Sequence, residues 1–370
     1  MQHPGKIVFE DDSEFIGVSF GAPISKAGEI VFNTGMTGYP ETLTDPSYRG
    51  QILVLTYPLV GNYGVPAKKI FEQLAQEFES HTIHVAGVII ADYATKYSHW
   101  NAIHSLGTWL QEHNIPAICN VDTRAITKKI REKGVMLGKI IIDEQEIAFE
   151  DPNLRNLVAE VSCKEVIEYS QNNNNNFAPK KRVILVDGGA KYNIIRNLIQ
   201  RDLHVIRVPW DYDFHKEEFD AVFISNGPGD PMMCQKTIKN LQKAIQLEIP
   251  TFGICLGHQL LALAAGAQTY KLKYGHRGQN QPCVLIGTKK CIITSQNHGF
   301  AVDETSLPEG WRALYQNIND QSNEGIIHES GLFKSVQFHP EASPGPTDAN
   351  FLFEEFLQML EQKKLLQKVD

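Results

Sequence analysis

Residues 249–259 read Ile249-Pro250-Thr251-Phe252-Gly253-Ile254-Cys255-Leu256-Gly257-His258-Gln259. The run Ile249–Ile254 has the apolar character of a strand buried on both faces, and the pattern that follows predicts a helix over 257–265. Between them stands Gly253-Ile254-Cys255-Leu256-Gly257, a G-x-nucleophile-x-G turn with cysteine in the reactive position. A tight strand-to-helix turn thrusts its central side chain outward, and the flanking glycines tolerate the crowding. The helix that follows aims its positive end and free N–H groups at the sulfur, which favours a thiolate. The N–H of Leu256, the residue after the nucleophile, is placed to donate to an oxyanion. Taken alone, the pentapeptide also reads as a buried cysteine between incidental glycines.

The same rhythm extends on both sides of this turn. Strands are predicted at Arg182–Asp187, His204–Trp210 and Ala221–Asn226, with helices over 192–201 and 232–247. Alternation of this kind implies βαβ units with right-handed crossovers. The pattern turns β-rich after residue 268, and Asp348–Leu360 reads as a closing amphipathic helix. The fold class expected for this half is α/β, a mostly parallel sheet flanked by helices. The N-terminal half reads as a mixed α/β domain rich in strands. Its strands fall at Lys6–Glu10, Ile16–Phe20, Glu29–Asn33 and Ile52–Thr56, among Gly- and Pro-rich turns. Helices are expected around 66–79, 99–113 and 123–133, the last capped by Asp122 or Thr123. Gln171 and the five asparagines after it bury nothing apolar to offset their ordering entropy. They divide the chain into domains 1–165 and 182–370, joined by an Asn-rich linker over 166–181.

The chain has 370 residues, a length that suits two domains. Lys+Arg 35 against Asp+Glu 43 leaves a net charge of -8, a poor match to nucleic acid or anionic membrane. No apolar run approaches the roughly 18 residues of a membrane helix, and the N-terminus lacks a secretory h-region. Cys119, Cys163, Cys234, Cys255, Cys283 and Cys291 form no C-x-x-C pair and no Cys/His cluster with zinc-site spacing. No metal is therefore expected, and the scatter suits a reducing, cytoplasmic setting. Lys128, Lys129, Arg131 and Lys133 read as a solvated helix face.

A thiolate that attacks an acyl group needs a base, and thirteen histidines compete for the role. His258 lies on the helix of the turn and reads as structural, whereas His298 is a credible neighbour of the site. The best candidate is His339, in Ser335-Val336-Gln337-Phe338-His339-Pro340-Glu341. A strand carries the chain to it, and Pro340 keeps it extended. In extended backbone, residues two apart point to the same side. Glu341 can then orient the imidazole while its other nitrogen faces the sulfur.

Together, Ser225-Asn226-Gly227-Pro228-Gly229-Asp230-Pro231, Phe252–Gln259 and His339-Pro340-Glu341 resemble the class I (triad) glutamine amidotransferases in order and spacing, across about 182–360. Gly275–Pro282 (GHRGQNQP) and Thr294–Ala301 (TSQNHGFA) resemble more narrowly the small, glutaminase subunits of carbamoyl phosphate synthetases. So do Val31–Tyr39 and Thr44–Pro66 in the N-terminal half, and the likeness covers nearly the whole chain.

The resemblance implies that glutamine is hydrolysed through a γ-glutamyl thioester, with Cys255 as nucleophile, His339 as base and Glu341 as its orienter. Gly227 and Leu256 match the backbone oxyanion donors. Gly229, Gln259, Asn297, Gly299 and Phe300 match glutamine-binding positions. Ser47 matches a glutamine contact from the N-terminal domain, which implies a site where the two domains meet. Ammonia would pass to a large synthetase subunit, in a heterodimer or a higher oligomer. That subunit would make carbamoyl phosphate from bicarbonate and ATP for pyrimidines and arginine. No cofactor is expected on this chain: Gly188-Gly189 lacks a following G-K-[ST], so ATP and Mg belong on the partner. Asp187–Asn193 (DGGAKYN) looks closer to the eukaryotic, multifunctional form than to the commonest bacterial pattern, which leaves open a separate or a fused partner. A class I amidotransferase of another synthase, a free-standing cysteine hydrolase and a non-catalytic subunit are the alternatives. The N-terminal half opposes the first two, and the intact triad opposes the last.

Overall fold

In the first unit of the chain, Met1–Leu157, seven short apolar strands close on themselves. The computed structural model describes residues 3–170 and 181–366. Its barrel strands are β1 (Pro4–Phe9), β2 (Glu14–Ser19), β3 (Lys26–Asn33), β4 (Gln51–Leu55), β5 (Gly87–Ile89), β6 (Ala117–Cys119) and β7 (Met136–Ile142). Around the barrel their order is β1-β7-β3-β4-β5-β6-β2. Closure removes the exposed edges an open sheet would present. β1 pairs antiparallel with both β2 and β7, Ile7 lying opposite Ile140, while β3 to β6 run parallel. Ile7, Phe9, Ile30, Ile52 and Val54 are buried. Where β7 pairs with β3, a Cβ on Gly138 would stand 2.1 Å from Ile30 Cδ1 and 2.7 Å from its Cγ1, so any larger residue there must displace the buried Ile30 side chain.

Helix α1 (Leu106–Glu112) is shorter than the span expected around 99–113. Ser105 Oγ accepts from the Thr108 N–H at 3.1 Å and sets its start, and Ala102–His104 pairs with Val65–Pro66 instead. Helix α2 (Thr123–Lys133) matches the expected span, capped by Asp122, which accepts from the Ala125 N–H at 2.8 Å. No helix forms over 66–79. There Ile70–Phe71 and Leu74–Ala75 pair as a hairpin around Glu72 and Gln73, whose φ values are 48 and 67°. Two consecutive left-handed residues make a hairpin turn. The helix-like apolar spacing is divided between exposed Ile70 and Phe71 and buried Leu74 and Ala75.

The second unit, Val158–Asp370, is built on a ten-stranded sheet. Its strands are β8 (Ile167–Tyr169), β9 (Arg182–Asp187), β10 (His204–Pro209), β11 (Ala221–Ile224), β12 (Thr251–Ile254), β13 (Gln268–Leu285), β14 (Cys291–Asp303), β15 (Trp311–Asn317), β16 (Asn323–His328) and β17 (Phe333–Val336). The order is β8-β10-β9-β11-β12-β17-β16-β15-β13-β14. The five strands from β10 to β17 in this order run parallel, and the strands beyond them on both sides pair antiparallel. Of the stretch expected as linker, Ile167–Tyr169 forms edge strand β8, and residues 171–180 lie outside the described residues.

Connecting helices are α3 (Tyr192–Gln200), α4 (Gln235–Gln246), α5 (Leu256–Ala265) and α6 (Leu352–Leu366). Strand alternation sends Val222 and Ile224 to one face, where they pack in one core with Leu241 of α4 and Leu260 and Leu261 of α5. It sends Phe223 and Phe252 to the other face, stacked with ring centroids 5.3 Å apart. There the Phe356 ring of α6 meets Phe223 edge-on at 5.1 Å. A sheet covered on both faces accounts for the near-continuous apolar reading of its strands. Among the described residues, no helix is long and apolar enough to cross a membrane.

Candidate active site

The parallel strands end on one side of the sheet, where ligands of open α/β sheets bind. Gly227, Gly229, Cys255, His339 and Glu341 follow their C-terminal ends, while Gln259 lies on α5 and Asn297, Gly299 and Phe300 on antiparallel β14. β12 ends at Ile254, and Cys255 follows with φ 54° and ψ -102°, an unusual backbone for a non-glycine residue. The Cys255 N–H extends the ladder by donating to Val336 O at 2.9 Å, and the Gly257 N–H ties the turn to Ser225 O at 3.0 Å. Both glycines of the turn are required by space. A Cβ on Gly253 would stand 2.5 Å from the Gly257 carbonyl, and one on Gly257 2.4 Å from Ile224 O. Gly253→Ala is therefore expected to lose at least about 1–3 kcal/mol of stability, measurable as a lower midpoint in urea unfolding.

Cys255 is 2 % exposed, and its Sγ lies 3.6 Å from Asn297 O, to which the thiol can donate. α5 starts at the next residue. Among the described residues, the N–H groups of Leu256 and Gly227 donate to no protein acceptor. They are left to serve a bound group, and the two residues touch: a Cβ on Gly227 would meet Leu256 Cδ2 at 2.7 Å.

His339 follows β17, held by its N–H to Ser295 O at 2.9 Å. Its Nδ1 lies 2.7 Å from Glu341 Oε1, with both residues buried. Burial disfavours the imidazolium, but the Glu341 charge and then the Cys255 sulfur outweigh it, so His339 holds its proton above the ordinary imidazole range. Glu341 moves the other way: burial opposes ionisation, while Lys191 and His339 hold the carboxyl well below its usual range.

Lys191 is the residue that sequence reading passed over. It lies at the start of α3, 3 % exposed, with Nζ 3.0 Å from Glu341 Oε1 and 2.5 Å from Ala342 O. Its signal was present in Gly188-Gly189-Ala190-Lys191, a lysine at the mouth of a buried strand, but nothing local links it to Glu341. Breaking a buried pair leaves an uncompensated charge. Lys191→Met is thus expected to cost about 3–5 kcal/mol and to lower kcat more than it raises KM, because Glu341 then competes for a proton instead of holding the imidazole. Denaturant titration with steady-state kinetics checks both.

The other expected residues divide in two. Gln259 is spent on the protein: its Nε2 donates to Phe300 O at 2.9 Å and to Gln337 Oε1 at 3.1 Å. Asn297 and Phe300 are therefore joined to the nucleophile turn through main-chain oxygens, with Gly299 between them on β14. Gly229 stands at φ 81° in the loop after β11. His258 is fully buried, paired with Ser335 Oγ at 2.9 Å, and burial presses its imidazole down to about 3. His298 is buried at 5 % exposure beside the site strand. Ser47 belongs to the first unit, buried in a short turn where Asp45 Oδ1 accepts its N–H at 2.9 Å.

The site unit can thus place a sulfur, an imidazole and a pair of oxyanion donors around one acyl carbon. Comparison with known proteins agrees with this chemistry. Residues 184–359 match the family model Glutamine amidotransferase class-I, and residues 7–140 match Carbamoyl-phosphate synthase small chain, CPSase domain. The chain is 54% identical over 97% of its length to Multifunctional protein CAD of Squalus acanthias, of which it spans 16%. It is 49% identical over 97% of its length to Carbamoyl-phosphate synthase [ammonia], mitochondrial, of Homo sapiens, of which it spans 24%.

Proposed function

This chain belongs to the carbamoyl-phosphate synthase small-chain and class I glutamine amidotransferase families, and from that premise we propose that it is the glutamine-hydrolysing component of a carbamoyl phosphate synthetase. The observation that carries the reading is the buried Cys255, His339 and Glu341 set beside two unspent N–H donors. Identity alone leaves the nitrogen donor open, because one of the two relatives is named for ammonia. The cysteine turn supports glutamine, since use of free ammonia needs no nucleophile.

The thiolate of Cys255 adds to the side-chain amide carbon of L-glutamine. The oxygen that becomes negative is met by the N–H groups of Leu256 and Gly227, worth about 3–4 kcal/mol of barrier. His339 gives its proton to the departing nitrogen, so ammonia leaves and a γ-glutamyl thioester remains. The same imidazole then takes a proton from water, whose oxygen adds to the thioester carbon. The sulfur departs as thiolate and glutamate is released. Glu341 keeps the ring oriented through both steps, and Lys191 keeps Glu341 ionised.

Ammonia made this way is consumed by a synthetase component that binds bicarbonate, ATP and Mg, for pyrimidine and arginine synthesis. In relatives several times longer than this chain the matched segment is part of one continuous polypeptide, which supports that association. Hydrolysis without a waiting acceptor wastes nitrogen. Glutamate release by the isolated chain is therefore expected to be slow, and to rise by about two orders of magnitude in kcat when the synthetase component realigns the site. Steady-state assays with and without the purified large component test the function. Full turnover alone, unchanged by the partner, would return weight to a free-standing hydrolase.

A further inference from the structure

Beside the strand segment that carries Asn297 to Phe300, three buried side chains from three strands converge. His276 of β13 and His298 of β14 face each other across their ladder, ring edge to ring face, with centroids 4.9 Å apart. Glu324 of β16 completes the group. One nitrogen of each histidine and one oxygen of Glu324 all lie within 4.8 Å of one another, and the three residues are 8%, 5% and 0% exposed. We propose that His276, His298 and Glu324 form a binding site for a divalent transition-metal ion of the zinc class.

Each donor is prepared by a neighbour. Asp320 Oδ2 lies 2.8 Å from His276 Nε2. A proton held there leaves the Nδ1 lone pair for a metal, which is how ligating histidines are oriented by carboxylates. Nδ1 is buried and makes no hydrogen bond among the described residues. It stands 3.4 Å from Glu324 Oε1, longer than the roughly 2.7–2.9 Å of a charge-assisted hydrogen bond. Two ligands bound tetrahedrally at about 2.0–2.1 Å from zinc are themselves about 3.4 Å apart. Glu324 Oε1 accepts from Asn317 Nδ2 at 3.1 Å, while Oε2 is buried with no hydrogen-bond partner among the described residues. His298 Nδ1 lies 2.8 Å from Phe300 O. A carbonyl there takes the Nδ1 proton, which leaves Nε2 with its lone pair; the neighbour of Nε2 is Gln296 Oε1 at 3.1 Å, an acceptor with no proton to give it.

Two imidazoles and one carboxylate suit zinc and its neighbours rather than magnesium or calcium, which take mainly oxygen. Three protein ligands leave a fourth position to water. The expectation of no metal rested on local Cys/His spacing, which cannot show donors that only strand pairing brings together. A bound ion would fix the strand whose Asn297 carbonyl meets the Cys255 thiol. That consequence rests on the glutaminase reading, whereas the site itself does not.

Cobalt(II) titration of the full chain, first dialysed against chelator, tests the site. One ion per chain is expected, with the absorption of tetrahedral cobalt, no sulfur-to-cobalt charge-transfer band, and displacement by Zn²⁺. Glu324→Gln should abolish uptake. Asp320→Asn keeps all three ligands and should weaken affinity by about 10–100-fold, so it decides the matter if Glu324→Gln fails to fold. Cys255→Ala should bind cobalt like the parent chain, which separates this site from the catalytic reading. A charge-transfer band, equal uptake by Glu324→Gln in folded form, or unchanged affinity in Asp320→Asn would overturn the proposal.

Discussion

Cys255→Ala is expected to abolish glutamine-dependent carbamoyl phosphate synthesis by the assembled enzyme and to spare synthesis from added ammonia. Only the first route passes through a bond to sulfur, so the two activities separate at this one atom. The loss should reach at least about four orders of magnitude, the scale seen when a nucleophile is removed from a triad that acts as a unit. The fold should survive. Cys255 holds φ 54° with a Cβ already in place, and alanine adds no atom and removes only the sulfur. Product formation with glutamine and with ammonium as alternative donors measures both routes on one preparation. Equal loss of both in a folded, assembled variant would contradict the division of labour. A glutamine-like electrophile gives a second view, because it should label Cys255 in preference to Cys119 and Cys234, both buried away from any triad.

His339→Asn is expected to cost more than Glu341→Gln. In the proposed mechanism the imidazole gives a proton in the first half-reaction and takes one in the second, whereas Glu341 orients it through the 2.7 Å contact at Nδ1. In a triad that has been dissected this way, the orienting carboxylate costs about a hundredfold less than the base, and a similar ratio is expected here. The ranking applies to folded protein, since glutamine at position 341 leaves the Lys191 ammonium buried 3.0 Å from a neutral group. A pH profile adds a readout that mere misfolding does not supply. The Glu341 charge raises the affinity of His339 for its proton, and a protonated ring is what releases ammonia. Activity should therefore fall as pH rises through that value. Without the charge the fall should come at lower pH, so Glu341→Gln moves the alkaline limb of kcat/KM downward. An unmoved limb, or a costlier Glu341→Gln, would mean that the base is assigned wrongly.

What the sequence by itself determined lies within a few residues of each element. A buried strand, two glycines and a helix expected from residue 257 signal the nucleophile turn, and the structure supplies the reason for the glycines, since a Cβ on either would stand 2.4–2.5 Å from neighbouring backbone. The close spacing of His339 and Glu341 was legible, but not its geometry. The expected extended chain through Pro340 is instead a turn, closed by the Ala342 N–H on His339 O at 3.1 Å, and it is this turn that sets the carboxylate against Nδ1. Alternating strands and helices imply a parallel sheet with its ligands at the strand ends. The tertiary structure alone decided whatever depends on partners far along the chain. The barrel closes through β1 on β7, residues whose apolar patterns match many other strands equally well. The stretch 66–79 shows apolar spacing compatible with a helix, yet it folds as a hairpin because Leu74 and Ala75 find a core that Ile70 and Phe71 do not. Lys191 meets Glu341 across 150 residues, and His276, His298 and Glu324 meet through strand order. Local periodicity reports how much of a residue is buried and on which face. It carries no address for the charge or ligand that burial will set beside it.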